Sequence, residues 1–198
     1  MFLRPALIGL TLIAALPASA QDAAAPTATA DPAGTAIATP EAQPSAEVPG
    51  APASLIAQIA GPDGAALGSA VAAPTASGVM LLTLTLTGLP PGIHGAHIHD
   101  IGTCTGPDFD SAGGHLAGDR QHGVMTDGGA HPGDLPNLHV PDSGALQVEF
   151  FAPDLTPELM TDADGTALVI HDLPDDYTGQ PSGNAGARIA CGAFAVAE

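Results

Sequence analysis

Three of the eight histidines in this chain lie within the seven residues "HGAHIHD" at positions 94–100. Successive side chains of a β-strand point to opposite faces, so the H-x-H pair places His97 and His99 side by side on one surface. Two neighbouring imidazole nitrogens can hold one metal ion, and imidazole suits both zinc and copper. The alternative is a hairpin strand that carries histidine on its solvent-facing side.

The other candidate ligands follow in a long irregular stretch, about residues 100–143, and at the end of the run "TALVIH". They are His115, His122, His131, Asp134 and His171. A loop of that length in a compact domain is usually functional or disordered, and this one is rich in glycine and histidine. The ligands exceed the needs of one tetrahedral site and no thiolate lies among them, so the set predicts two metal ions.

The elements that must position these ligands are predicted to be short β-strands. In "LLTLTLTGL", Leu82, Leu84 and Leu86 alternate with threonines, which is the period of a half-buried strand. Similar runs occur at "SLIAQIA", "ALQVEFF", "TALVIH" and "ARIACGAFAV", separated by clusters of glycine, proline and aspartate. No window of adequate length has helical periodicity, so we expect an all-β sandwich or barrel.

The first 50 residues differ in composition from the rest of the chain. Arg4 precedes an apolar run that ends in "ASA" at 18–20, which predicts a signal peptide over residues 1–20 cleaved after Ala20. That run is too short to span a bilayer, so no membrane insertion is expected. Residues 21–50 are rich in alanine, proline and threonine and predict a disordered linker. Residues 51–198 then form one domain of a periplasmic or secreted protein.

Charge and cysteine content limit the partners. The formal net charge is −18, with no lysine and three arginines, and removal of residues 1–20 would make it one unit more negative. Nucleic acids and anionic membranes are bound through clustered basic residues, so both are excluded as partners. Cys104 and Cys191 are expected to pair in an oxidising compartment, and the alternative is that both thiolates ligate metal.

Six segments, in order along the chain, resemble the copper/zinc superoxide dismutase family: "GIHGAHIHD", "SAGGH", "HPGDLPN", "ALVIH", "PDDY" and "SGNAGARIACG". The resemblance covers nearly all of residues 52–198 and accounts for both cysteines. It implies an eight-stranded Greek-key β-barrel or sandwich with long metal-binding loops. It also implies an oxidoreductase that converts superoxide to oxygen and hydrogen peroxide, with copper and zinc as cofactors.

The resemblance further implies a role for each candidate residue. Copper would be bound by His97, His99, His115 and His171, and zinc by His115, His122, His131 and Asp134, so that His115 bridges the metals as an imidazolate and takes part in proton transfer. Asp175 would accept hydrogen bonds from one copper histidine and one zinc histidine, and Arg188 would attract the superoxide anion. His94 is expected to be a structural hydrogen-bonding residue, and His139 matches no ligand.

The sequence departs from the family pattern in the loops. The segment from His115 to His122 is one residue shorter than usual, Ala96 stands where phenylalanine is common, and the loop before Arg188 contains no lysine. We therefore expect weaker electrostatic guidance of superoxide than in relatives with lysines there. The protein would be a monomer or a homodimer. The alternative function is a non-enzymatic periplasmic copper- or zinc-binding protein on the same scaffold.

Overall fold

A computed structural model describes residues 53–197, and the predicted signal peptide and linker lie outside them. The described part contains a single turn of α-helix, α1, at Pro157–Met160 and a 3-10 turn at Asp110–Ala112. Its nine strands are β1 Leu55–Ala60, β2 Ala66–Pro74, β3 Met80–Leu86, β4 Gly92–His94, β5 Ala96–His99, β6 Leu138–Val140, β7 Leu146–Ala152, β8 Ala167–His171 and β9 Arg188–Val196.

Seven strands form one antiparallel sheet in the order β5-β8-β9-β1-β2-β3-β7, and β4 pairs with β6. Only Gly95 separates β4 from β5, so the two are successive halves of one strand that changes its pairing partner. Counted in this way, the described residues form the eight strands that were predicted. The connections from β3 to β4 and from β6 to β7 join strands that are not neighbours, which is the Greek-key arrangement. The all-β prediction is confirmed.

Strand β3 shows how the sequence pattern builds the core. Leu82, Leu84 and Leu86 are buried, whereas Thr85 on the opposite face is exposed. The same alternation in β1 buries Leu55, Ala57 and Ile59. Each fully buried leucine or isoleucine contributes up to about 3 kcal/mol of transfer free energy, so the core provides a rigid frame for the loops.

Two strands were not predicted from the sequence. β2 consists largely of alanine and glycine, and it pairs with β1 on one edge and β3 on the other. Its Ala70 and Ala72 are fully buried in the hydrophobic core. β6 has only three residues and lies near the end of the stretch expected to be irregular. Small residues and a short length both leave little periodic signal.

The long loop between β5 and β6 is attached to the sheet near its start. Cys104 and Cys191 form a disulfide, with Cα atoms 5.7 Å apart, that joins this loop to β9. Phe109 and Ala112 pack in a small buried cluster with Val169 of β8. The predicted cysteine pairing is confirmed, and ligation of metal by free thiolates is excluded because the two sulfurs are bonded to each other. Within residues 53–197, no helix has the length and apolar character needed to cross a membrane.

Candidate metal centre

Four histidines from two strands and the long loop converge on one point. His97 and His99 lie on β5, His171 ends the neighbouring strand β8, and an isolated backbone bridge joins His115 of the loop to His99. The four residues each offer a ring nitrogen, and these atoms all lie within 4.8 Å of one another. The strand pairing thus brings together residues that are up to 74 positions apart in the sequence.

Each of these four histidines has one buried ring nitrogen without a hydrogen-bond partner. The atoms are Nδ1 of His97 and Nε2 of His99, His115 and His171. A buried polar atom left without a partner is unfavourable by about 1–3 kcal/mol, so four of them at one point require an explanation. A metal ion bound by the four nitrogens supplies it, and four nitrogen ligands without thiolates suit copper.

Hydrogen bonds at the other ring nitrogens fix the tautomers of two of these histidines. Nδ1 of His99 lies 3.0 Å from the carbonyl oxygen of Gly113, and Nδ1 of His171 lies 3.2 Å from that of Gly186. A carbonyl oxygen only accepts, so Nδ1 donates in both rings and Nε2 carries a free lone pair. The hydrogen bond at Nδ1 of each ring therefore leaves Nε2 free to bind a metal ion.

Burial keeps the histidine rings of this first cluster neutral. Desolvation lowers the pKa of His97 to about 4, although the hydrogen bond to Asp175 acts in the opposite direction. Desolvation, together with the neighbouring His97, lowers the pKa of His171 to about 3. Neutral imidazole is the ligand form, so these side chains do not have to lose a proton at pH 7 before binding metal.

A second cluster surrounds the carboxylate of Asp134. The Nδ1 atoms of His115, His122 and His131 lie 3.1, 3.0 and 3.2 Å from its Oδ1 atom. The other oxygen, Oδ2, accepts hydrogen bonds from the backbone N–H groups of Gly123 and His131. Three imidazole nitrogens and one carboxylate oxygen are a ligand set that suits tetrahedral zinc. The shortened segment between His115 and His122 still allows this convergence.

Asp175 connects the two clusters. Its Oδ2 atom lies 2.9 Å from Nε2 of His97, and its Oδ1 atom lies 3.0 Å from Nε2 of His122. Burial opposes the charged carboxylate, but these bonds and one from the Tyr177 N–H outweigh it and hold the pKa of Asp175 below its ordinary value. Gly183 closes the site with a φ of 67°, and a Cβ atom there would overlap Oδ1 of Asp175.

Two amide side chains that the sequence analysis missed bind the backbone of this connection. Asn137 donates to the carbonyl oxygen of Asp175 at 2.9 Å and accepts from its N–H at 2.8 Å. Gln180 forms the same pair of bonds with the backbone of His122, both at 2.9 Å. Asn137 lies within the quoted segment "HPGDLPN", which could have drawn attention to it, whereas nothing in the sequence around Gln180 indicates its contact.

A cavity of about 240 Å³ opens beside the first cluster. It is lined by His99, Gly114, His115, His171, Pro181, Ser182, Gly186 and Arg188. The guanidinium of Arg188 donates to the carbonyl oxygens of Phe109 at 2.6 Å and Gly113 at 2.7 Å, which fixes its orientation at the cavity wall. A small anion in this cavity would lie beside both the histidines and a fixed positive charge.

The two remaining histidines lie apart from both clusters. His94 is buried, and its ring nitrogens lie 2.8 Å from the carbonyl oxygen of His171 and 2.9 Å from that of Pro90. His139 is exposed on β6, opposite Ile93 of β4. The structure thus gives His94 a structural environment and leaves His139 outside the metal centre.

Comparison with known proteins gives consistent matches. Residues 67–194 match the family described as "Copper/zinc superoxide dismutase (SODC)". "Superoxide dismutase [Cu-Zn] 1" of Aquifex aeolicus (strain VF5) is 43% identical over 143 residues, which cover 69% of this chain and 84% of the relative. "Superoxide dismutase [Cu-Zn]" of Caulobacter vibrioides (strain ATCC 19089 / CIP 103742 / CB 15) is 42% identical over 139 residues, 66% of this chain and 79% of the relative. A crystal structure of a SOD-like protein from Bacillus subtilis superposes with a TM-score of 0.67 at 39% identity, covering 70% of this chain and 96% of that one.

Proposed function

The chain belongs to the copper/zinc superoxide dismutase family, and we propose that it disproportionates superoxide to oxygen and hydrogen peroxide at a copper site that His115 joins to a zinc site. The observation that carries this proposal is the group of four buried, unpartnered histidine nitrogens beside a cavity lined by Arg188. Such a cavity admits a diatomic anion, and the nitrogens provide the ligands of a redox metal.

Each residue has a distinct part in this proposal. His97, His99, His115 and His171 hold copper, and His115, His122, His131 and Asp134 hold zinc. When bound, copper supplies one-electron exchange with superoxide, and zinc supplies a fixed charge without redox chemistry.

The remaining steps belong to side chains around the metals. Arg188 attracts superoxide and orients it in the cavity. His115 presents Nε2 toward the copper side. When this atom is not bound to metal it can take up a proton and pass it to the reduced product, and water supplies the second proton that hydrogen peroxide needs. Asp175 accepts hydrogen bonds from His97 and His122 and keeps both rings in their ligand orientation.

The disulfide and the bacterial relatives support a location outside the cytoplasm, where such bonds persist. We propose in addition that residues 1–20 are a signal peptide removed after Ala20, that 21–50 form a linker, and that 51–198 are the catalytic domain. The N-terminal sequence of protein recovered from the periplasm or medium tests this, because it should begin at Gln21.

A non-enzymatic metal-binding protein on the same scaffold is the alternative, and it is relevant because one relative is named "Superoxide dismutase-like protein". That relative, from Bacillus subtilis (strain 168), is 43% identical over 118 residues. Metal content and superoxide removal should be measured on the same purified mature protein. We expect one copper and one zinc per chain together with rapid catalysis. Full metal content without catalysis would support the alternative.

A further inference from the structure

We propose that Gln180 is a positioning residue that couples His122, on the zinc side, to the wall of the anion cavity. This inference rests on the proposed function, because it requires zinc at His122 and an anion beside Arg188. It adds a residue that neither the ligand sets nor the cavity chemistry require.

The contact is specific although Gln180 is itself an exposed residue. Oε1 accepts from the backbone N–H of His122 at 2.9 Å, and Nε2 donates to the carbonyl oxygens of His122 at 2.9 Å and Thr178 at 3.0 Å. One side chain therefore satisfies both backbone polar groups of a residue 58 positions away. Two bonds from one planar amide fix the orientation of the His122 backbone as well as its distance from Gln180.

The same short segment forms part of the cavity wall. Pro181 and Ser182 follow Gln180 directly in the chain, and both line the cavity with Arg188. Gly183 comes next and lies against the Asp175 carboxylate and the His122 ring. Residues 180–183 thus contact the backbone of a zinc ligand at one end, its ring at the other, and the cavity between them.

This arrangement makes zinc binding and anion binding dependent on each other. Bound zinc would hold the His122 ring at Nδ1, on the Asp134 side, while Asp175 holds the ring at Nε2. Gln180 ties the His122 backbone to the segment that continues into Pro181 and Ser182. Loss of zinc would remove the first of these constraints, so the positions of Pro181 and Ser182 in the cavity wall would be less tightly fixed. Coupling of this kind is reciprocal, because each ligand then changes the affinity for the other by the same factor.

The experiment uses the mature, metal-loaded protein with azide as the probe anion, detected through the copper absorption spectrum. Azide affinity is measured with zinc present and after selective zinc removal, and zinc release into a chelator is timed separately. Three variants are compared with the wild type: Gln180→Ala, Gln180→Glu and the control Gln147→Ala. Gln147 is an exposed glutamine on β7, away from the metal centre.

We expect zinc removal to weaken azide binding at least about 5-fold in the wild type and in Gln147→Ala, but less than about 2-fold in Gln180→Ala. Zinc release should be about 5- to 50-fold faster in Gln180→Ala, since two hydrogen bonds to the His122 backbone are lost. Gln180→Glu should release zinc at least as fast, because its second oxygen meets the His122 carbonyl as an acceptor facing an acceptor.

An azide affinity in Gln180→Ala that depends on zinc as strongly as in the wild type would overturn the inference alone. So would equal zinc release from Gln180→Ala and Gln147→Ala. If the wild-type protein bound no zinc, the proposed function and this inference would both be wrong, so the two failures are distinguishable.

Discussion

Nδ1 of His115 lies 3.1 Å from Oδ1 of Asp134, while the opposite nitrogen of the same ring, Nε2, is buried without a hydrogen-bond partner. One imidazole therefore presents a ligand atom to each cluster. The His115 ring stacks on His97, with centroids 4.0 Å apart, which limits its rotation. Metals bound at the two clusters would therefore be linked through this one ring.

Replacing His115 with alanine should leave copper bound but make its spectrum independent of zinc. In the wild type, zinc removal should shift the copper electron paramagnetic resonance and visible spectra, because the shared ring loses one of its two metals. The control His139→Ala lies outside both clusters and should behave as wild type. A wild-type copper spectrum that zinc removal does not alter would falsify the bridge.

Neutralising Arg188 should lower kcat/KM by about 5- to 100-fold. A unit charge about 5 Å from the anion contributes on the order of 1–3 kcal/mol, and each 1.36 kcal/mol is a factor of ten in rate. Arg188→Gln and the charge-matched control Arg120→Gln should be compared by pulse radiolysis after their metal contents are matched. Arg120 forms an exposed ion pair with Asp154, 2.8 Å apart, so its variant should change the rate less than about 2-fold. Equal losses in the two variants would assign the effect to net charge instead of to position.

Raising the ionic strength from about 0.01 to about 0.15 M should leave kcat/KM unchanged or increase it. The protein carries a net charge of −18 and should repel superoxide over a Debye length of about 30 Å in the dilute buffer. Salt screens this long-range repulsion more strongly than the short-range attraction by Arg188. The rate is measured by pulse radiolysis across the salt series. A steep fall would mean that a local positive surface guides the substrate.

The metal-free protein should lose stability as the pH falls from about 7 toward 4. The pKa values of His97 and His171 are lowered to about 4 and about 3 in the folded state, whereas histidine in an unfolded chain titrates near 6.5. Below pH 6.5 the unfolded state then binds more protons, so acid favours unfolding. At pH 5 each of the two contributes up to about 2 kcal/mol of lost stability.

Urea unfolding of metal-free protein at pH 7.5 and pH 5.0 measures this loss. His171→Asn should reduce the difference between the two pH values, and His139→Asn should leave it as in the wild type, because His139 is exposed. Equal stability of the wild type at both pH values would contradict this prediction, because it would mean that the two rings are already protonated in the folded chain at pH 5.0.

The parts of the fold that could be predicted are those with a clear apolar pattern. The alternating leucines and threonines of β3 predicted a half-buried strand, and the continuous apolar run of β8 predicted a strand, which is buried on both faces. β2 could not be predicted in this way, because alanine and glycine contribute little apolar contrast, and only its pairing with β1 and β3 places Ala70 and Ala72 in the core. Tertiary context decided that element where local propensity did not.

The candidate metal centre also has parts that could be predicted from the sequence and parts that could not. Its ligands could be proposed from residue type and from ordered segments that resemble a family, because few side chains bind copper or zinc. The contacts of Asn137 and Gln180 could not, since an amide side chain can bind any backbone group within reach. Which group it meets depends on how two loops lie together, and residues 38 and 58 positions apart give no local signal of that.

The loop that carries the Arg188 acceptors is attached to β9 at two points three residues apart. Cys104 is bonded to Cys191, and the carbonyl oxygens of Phe109 and Gly113 accept from Arg188. A loop attached to a strand at one point can rotate about that point, whereas a loop attached at two points cannot. One of the two attachments is the disulfide, so the orientation of the Arg188 guanidinium depends on whether the compartment is oxidising or reducing. With Cys104 and Cys191 reduced, the loop could still rotate about the Arg188 contacts, and formation of the disulfide prevents this.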